Sequence, residues 1–318
     1  MTNSNIGLHR FAIVLACCTF GLIFAGGMVT STDSGLSVPD WPLSYGQLFP
    51  PMVGGILYEH SHRLFAASVG ILTIILAVWL WKRETRSWVC RLGGLALLAV
   101  ICQGLLGGIT VLFLLPTAIS VSHAGLAQLC MCLMISIAAF TSPKWPGVQK
   151  QHEGTGSPSL RALTALTTVV IYIQILIGAL VRHTASGLAI PDFPLSFGRL
   201  IPPAFTPQIL VHFTHRVGAL VVAVFIAWVA LRIYRRHATQ EALHHPLYIL
   251  LATLVLQISL GAMTIWSGKA PIPTTMHLVG GSFVLASSLY LTLRAHQVLM
   301  PAAASGEITT APAAAVTE

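Results

Sequence analysis

The chain has 318 residues, 55% of them hydrophobic and only 8% charged, with a mean hydropathy of +0.80. A soluble domain carries roughly 25% charged residues, so a water-soluble enzyme and a disordered chain are both excluded. The formal charge of +8 then reads as the topology signal of a membrane protein rather than a nucleic-acid footprint, and six cysteines are too few for a disulfide framework.

A bilayer crossing takes about 20 apolar residues. The sequence offers eight such runs: 11–30, 61–81, 92–113, 118–140, 162–181, 210–231, 247–266 and 273–296. Pro116 supplies the turn between the third and fourth, which would otherwise form one run too long for a single crossing. With the N-terminus inside, the inner connections collect twelve Lys and Arg residues, among them Lys82, Arg83, Arg235 and Arg236. The outer ones hold Arg182, Arg199 and Lys269. The positive-inside rule therefore predicts that both termini are cytoplasmic. The first run is long and lacks a processing site, so it reads as an anchor. No Arg- and Ser-rich transit sequence precedes it, which points to a bacterial plasma (inner) membrane. The bilayer is the expected partner, and nucleic acid is not. Cys17, Cys18, Cys102, Cys130 and Cys132 fall in spans and Cys90 at an inner end; they are expected to be small buried side chains. Residues 301–318, rich in Ala, Pro and Thr, read as a disordered tail.

The sequence repeats itself. SGLSVPDWPLSYGQLFPP from Ser34 returns as SGLAIPDFPLSFGRLIPP from Ser186. Glu59-His60-Ser61-His62-Arg63 returns as His212-Phe213-Thr214-His215-Arg216. Gln103, Gly107, Thr110 and His123 match Gln257, Gly261, Thr264 and His277. The expected architecture is an all-α polytopic membrane protein of eight transmembrane helices. They form two tandem, parallel four-helix bundles, since an even number of spans per copy keeps the copies parallel. Residues 1–150 form the first unit and 151–300 the second, with the join in Ser142–Ser159.

The histidines carry the chemistry. His9, His152, His237, His244, His245 and His296 fall at the cytoplasmic side and read as solvated. His62, His123, His215 and His277 each lie near the outer entrance of an even-numbered span, at similar depth. Ionisable groups at membrane depth are costly and usually functional. Two neutral imidazoles from facing helices suit axial ligation of a haem iron, whereas bare copper or zinc would ask for further ligands. Gly104, Gly107, Gly108, Gly125, Gly261, Gly280 and Gly281 either let helices approach closely or make room for a flat macrocycle. Arg63 and Arg216 each follow a ligand candidate. They are expected either to pair with haem propionates or to snorkel to the interface. The repeated loops read as lids over the bundle mouths or as interfacial aromatic anchors.

Where the repeat breaks, Glu59 is replaced by His212. Glu59, His62 and Arg63 share a helix face. A carboxyl group beside a histidine pair can move protons or steady developing positive charge, so catalysis is assigned to the first unit. The alternative is that Glu59 only pairs with Arg63.

At these residues the sequence resembles the haem A synthase family, from residue 8 to about 297. The resemblance rests on Glu59-x-x-His62-Arg63, His215-Arg216, the late His123 and His277, and the duplicated four-helix plan. It implies oxidation of the methyl substituent of haem O to the formyl group of haem A, for terminal oxidases. It implies a haem b (iron) cofactor on His215 and His277 in the second unit, and haem O as substrate beside His62 and His123 in the first. It also implies as partners a haem O-producing farnesyltransferase and an electron donor that the sequence does not identify. Many members carry a cysteine pair in the first outer loop, and none lies between Val29 and Tyr58 here. The residues alone reach a di-haem membrane protein, so a b-type cytochrome fed by quinol and a haem transporter or chaperone stay open beside the enzyme.

Overall fold

Hydrocarbon offers no hydrogen-bond partners, so an apolar run that crosses it must satisfy its own backbone as a helix. The computed structural model describes residues 6–145, 150–153 and 157–300. Eight helices occupy them: α1 (Ile6–Ser31), α2 (Gly54–Arg83), α3 (Ser87–Leu112), α4 (Thr117–Phe140), α5 (Leu160–His183), α6 (Pro207–Arg236), α7 (Glu241–Trp266) and α8 (Pro271–Val298). Each is long and apolar enough to cross a membrane. All eight expected runs are present, and the protein is a polytopic helical membrane protein. The helices outrun the apolar stretches. Lys82 and Arg83 close α2, and Arg235 and Arg236 close α6, where long basic side chains suit both the interface and the negative helix end. The expected tail, 301–318, lies outside the described residues.

Pro116 caps α4, and the turn before it runs through Leu114 and Leu115, both left-handed at φ 58°. The matching turn before α8 uses Gly268 and Lys269 at 61° and 65°. Glycine takes that conformation at little steric cost, and leucine does not. The Leu115 amide bonds Thr110 O at 2.7 Å, as the Lys269 amide bonds Thr264 O at 2.8 Å.

In the first half, α1 packs on α2 and α4, and α3 on α2 and α4. In the second, α5 packs on α6 and α8, and α7 on α6 and α8. Contacts of α1 with α8, and of α4 with α5 and α8, join the halves. Helix α8 is the most enclosed, because Gly280, Gly281, Ser282, Ala286, Ser287 and Ser288 let its neighbours come close. The Thr168 hydroxyl bonds Ser288 and Thr292 at 2.8 and 2.9 Å, tying α5 to α8. Phe20 of α1 stacks on Phe283 of α8, with ring centroids 4.2 Å apart.

The face where α1 begins and α8 ends departs from expectation. Two short strands, β1 (Gln151–His152) and β2 (Leu299–Met300), pair in parallel. His9 is half-buried, with Nδ1 donating to Ala138 O at 3.0 Å. His237 is buried, and desolvation lowers its pKa. Neither is the solvated residue expected. Cys17 and Cys102 are exposed rather than buried, while Cys130 is buried and Cys18, Cys90 and Cys132 are intermediate. A lipid-facing thiol costs little, since the tails are as apolar as the core.

Candidate functional site

The loops between α1 and α2 and between α5 and α6 are conformational copies. Asp40 accepts from the Tyr45 and Gly46 amides at 2.7 and 2.8 Å, and Asp192 from those of Phe197 and Gly198 at 2.7 Å each. These bonds stabilise the charged carboxylates and hold both below the usual Asp range. One antiparallel bridge closes each loop, Ser44 to Gln47 and Ser196 to Arg199. Trp41 lies against α3, where a Cβ on Gly108 would stand 2.7 Å from its ring. Phe193 meets Trp266 of α7 edge-on, 6.2 Å between centroids. Both aromatic residues lean on the odd-numbered helix of their own half, as lids do.

Arg63 and Arg216 clamp these loops. Arg63 donates from Nη1 to the carbonyls of Asp40 and Leu43 at 2.6 and 2.8 Å, and from Nη2 to that of Val38 at 3.1 Å. Arg216 donates to the carbonyls of Leu195, Asp192 and Ile190 at 2.8, 2.7 and 3.2 Å. Both guanidinium groups, expected either to pair with propionates or to reach the interface, are hydrogen-bonded within the protein. Arg216→Gln removes the charged fork. Amide exchange in the 192–199 loop should then quicken by at least about tenfold, the value of one charge-assisted bond, and haem retention should fall. Arg216→Lys should rescue neither, since an ammonium cannot reach acceptors spread in a plane. Unchanged exchange in Arg216→Gln would show that the clamp is idle.

Glu59 is buried, and both its oxygens are engaged. Oε1 accepts from Arg63 Nη2 at 2.6 Å and Oε2 from the Val38 amide at 2.8 Å. The pairing with Arg63 is therefore real, and it ties α2 to the first loop. In the second half, His212 places Nδ1 3.3 Å from the Ile190 amide and Nε2 3.3 Å from Arg216 Nε. The positions are kept, but a neutral imidazole accepts at only one nitrogen, so a carboxylate that serves both donors becomes a group that serves one. His60 bonds Ser44 Oγ at 2.7 Å, and Phe213 takes its place in the second copy.

His62 and His215 each lie eight residues into α2 and α6, and His123 and His277 six residues into α4 and α8. Those offsets put them about 12 and 9 Å below the helix starts. All four are half-buried. Each imidazole rests on a glycine of the preceding helix. A Cβ would stand 2.9 Å from His62 at Gly26, 3.2 Å from His123 at Gly107, 3.0 Å from His215 at Gly178 and 3.0 Å from His277 at Gly261. Gly107 and Gly261 therefore seat rings rather than helices, and Gly104 has nothing within 4 Å. Gly26 and Gly178 were missed from sequence, although they too recur, 152 positions apart.

The rings of His215 and His277 have centroids 6.3 Å apart and planes at 87°. Metal–imidazole bonds run at about 2 Å and a ring centroid lies about 1 Å further on, so two imidazoles sharing one metal stand about 6 Å apart. The pair thus fits axial ligation of a haem iron. Among the described residues no group of three or more His, Cys, Asp or Glu is placed to hold a bare metal ion. His277 Nδ1 donates to Gln257 O at 3.1 Å, and Gln174 Nε2 lies 3.0 Å from His215 Nδ1. Nδ1 of His62 and of His123 is buried without a partner.

A family model described as cytochrome oxidase assembly protein, COX15-CtaA, matches residues 9–55 and 53–289. The chain belongs to that family. It is 30% identical to the heme A synthase of Halalkalibacterium halodurans over 305 residues, 90% of this chain and 97% of that one. It is 29% identical to the heme A synthase of Lysinibacillus sphaericus over 298 residues, 91% and 95% of the two chains. A third relative, the heme A synthase of Shouchella clausii, is 31% identical over 228 residues, 69% of this chain and 74% of that one. The family match spans both loops and all four intramembrane histidines.

Proposed function

We propose that this protein oxidises the methyl substituent of haem O to the formyl group of haem A, the activity named in its full-length relatives. The observation that carries the reading is the His215–His277 pair at 6.3 Å, set in a chain of this family. A bound haem supplies one-electron and oxygen chemistry; the chain supplies ligands, orientation and charge. His215 and His277 hold a resident haem b in the second unit, residues 151–300. His62 and His123 hold haem O in the first unit, residues 1–150, under the loop that Arg63 clamps. Arg63 and Arg216, one residue from a ligand histidine each, are the cations for the propionates while they hold the lids. Glu59 stands one turn from His62 at the start of α2, where His212 replaces it in the second copy, and it steadies developing positive charge or relays a proton there. Both termini face the cytoplasm of a bacterial inner membrane, as the charge asymmetry asks. The farnesyltransferase that makes haem O and an electron donor are the partners this chemistry requires.

Extraction of haem from cells that make haem O tests the proposal. Cells carrying the protein should accumulate haem A, and cells without it should not. Haem O left unconverted, with haem still bound to the protein, would place the chain among b-type cytochromes or haem carriers instead.

A further inference from the structure

The turns that join the last two helices of each half share a backbone but not a chemistry. Leu112-Phe113-Leu114-Leu115, between α3 and α4, matches Trp266-Ser267-Gly268-Lys269, between α7 and α8. The amides of Phe113, Leu114 and Leu115 bond the carbonyls of Ile109, Val111 and Thr110. Those of Ser267, Gly268 and Lys269 bond the carbonyls of Met263, Ile265 and Thr264, the same set. In both turns the last two residues are left-handed. Glycine suits the first of those places in the second half, whereas leucine takes it in the first half against its steric preference. Side chains held in that conformation persist where their surroundings over-determine them, and ligand clamps are such places.

What the two leucines add is apolar surface. Leu112, Phe113 and Leu114 are 54, 65 and 75% exposed, and Leu115 is 39% exposed. Successive exposed apolar residues do not suit a loop bathed in water, and this turn joins two spans, so it lies at a bilayer surface. Lipid contact alone does not account for them, because the second turn also joins two spans and carries Ser267, Gly268 and Lys269. The neighbouring lids differ in the same sense. Phe193 meets Trp266, the counterpart of Leu112, whereas Trp41 meets α3 at Gly108, where the second half has Ala262. Leu115 and Lys269 cover equivalent spots, Leu115 lying against Gly35 and the Lys269 stem against Gly187. The first half thus ends in an aliphatic rim, and the second in an aromatic contact and an ammonium group.

We infer that the Leu112–Leu115 rim binds the farnesyl-derived tail of haem O and so distinguishes the substrate from haem b, which lacks that tail. This rests on the haem O reading above. His123 lies six residues into α4, about 9 Å along the helix that the rim leads into, so the rim and the ligand belong to one end of one bundle. Attraction between hydrocarbon surfaces is non-directional, so a strip of leucine and phenylalanine can hold a flexible prenyl chain without polar contacts. An ammonium group at residue 115 would have to be desolvated beside that chain. The left-handed leucines are then specificity-determining residues, held in a turn whose backbone favours glycine because their side chains are needed on its surface.

The test titrates the full-length protein in lipid nanodiscs, resident haem in place, with haem O and separately with haem b, following the difference spectrum. Partition of each haem into the bilayer cancels when variant and wild type are compared. Leu114→Gly combined with Leu115→Lys installs the second half's own residues. It should weaken haem O binding about tenfold, the worth of roughly two buried CH₂ groups, and haem b binding by less than about twofold. The variant should be no less heat-stable than the wild type, since glycine relaxes the turn. Phe113→Ser, which leaves the left-handed pair untouched, should act in the same direction. Equal weakening of both haems would overturn the inference, because the rim would then only support the fold of the site. Unchanged haem O binding in both variants would also overturn it and leave the rim as a lipid contact. Failure of the underlying reading looks different: haem O binding to the wild type would not depend on His62 or His123.

Discussion

His215→Ala and His277→Ala should each remove the low-spin spectrum of the resident haem, leaving helix content and detergent behaviour intact. Each imidazole sits on a glycine, Gly178 or Gly261, and the rings stand 6.3 Å apart. One iron bonded on both sides is what that spacing accommodates. Deleting a ring leaves a gap about the size of a side chain, flanked by a glycine that cannot fill it. Among the described residues no sulfur or carboxylate is grouped with the pair to serve as a substitute ligand. The loss should be total for His277→Ala, whose nitrogen is fixed by Gln257 O. Supplying free imidazole to either variant should restore part of the signal. Absorbance and electron paramagnetic resonance of the purified variants read the outcome, and an unchanged low-spin spectrum in both would refute the ligand assignment.

Glu59→Gln should stop haem O oxidation while the resident haem stays bound. The substitution is nearly isosteric, its one amide oxygen can keep either the Arg63 or the Val38 contact, and the three carbonyl bonds of Arg63 still hold the first loop. What disappears is the negative charge that Arg63 now faces at 2.6 Å. Losing a positioned acid or base typically costs about 10²–10⁴-fold in rate. If Glu59 only braces the loop, Gln should serve nearly as well, because it keeps an acceptor for one of the two donors. His212→Gln, the same change in the second half, should leave turnover within about threefold, a change worth under 1 kcal/mol. Single-turnover conversion of bound haem O separates the two, and wild-type conversion in Glu59→Gln would end the catalytic assignment.

The eight spans were legible because hydropathy and length alone decide them. The histidines stood out because a polar ring at membrane depth is expensive wherever it falls. Their companions were harder to see. A transmembrane helix is apolar on every side, so nothing in its pattern says which face meets lipid; Cys17 and Cys102 were misplaced for that reason. The arginine partners are carbonyls of a folded loop, and carbonyls carry no sequence signal. His9 and His237 are enclosed by residues far along the chain. Gly26 and Gly178 could have been found, since the repeat marks them at one offset. Among glycines that also suit helix contacts, only the imidazole resting on each reveals its use.

At the face where α1 begins and α8 ends, both halves of the chain close on themselves. The start of α1 meets the end of α4 through His9 and Ala138, and residues before α5 pair with those after α8 through β1 and β2. A stretch whose beginning and end already meet, on one side of the membrane, can be copied and joined head to tail without either copy being stretched. Descent from a single four-helix ancestor asks for that arrangement. Such an ancestor would have had to pair with a second copy of itself, two identical haem sites in one dimer. Fusing the pair freed each site to change alone. Glu59 against His212, and His60 against Phe213, are what that freedom left behind.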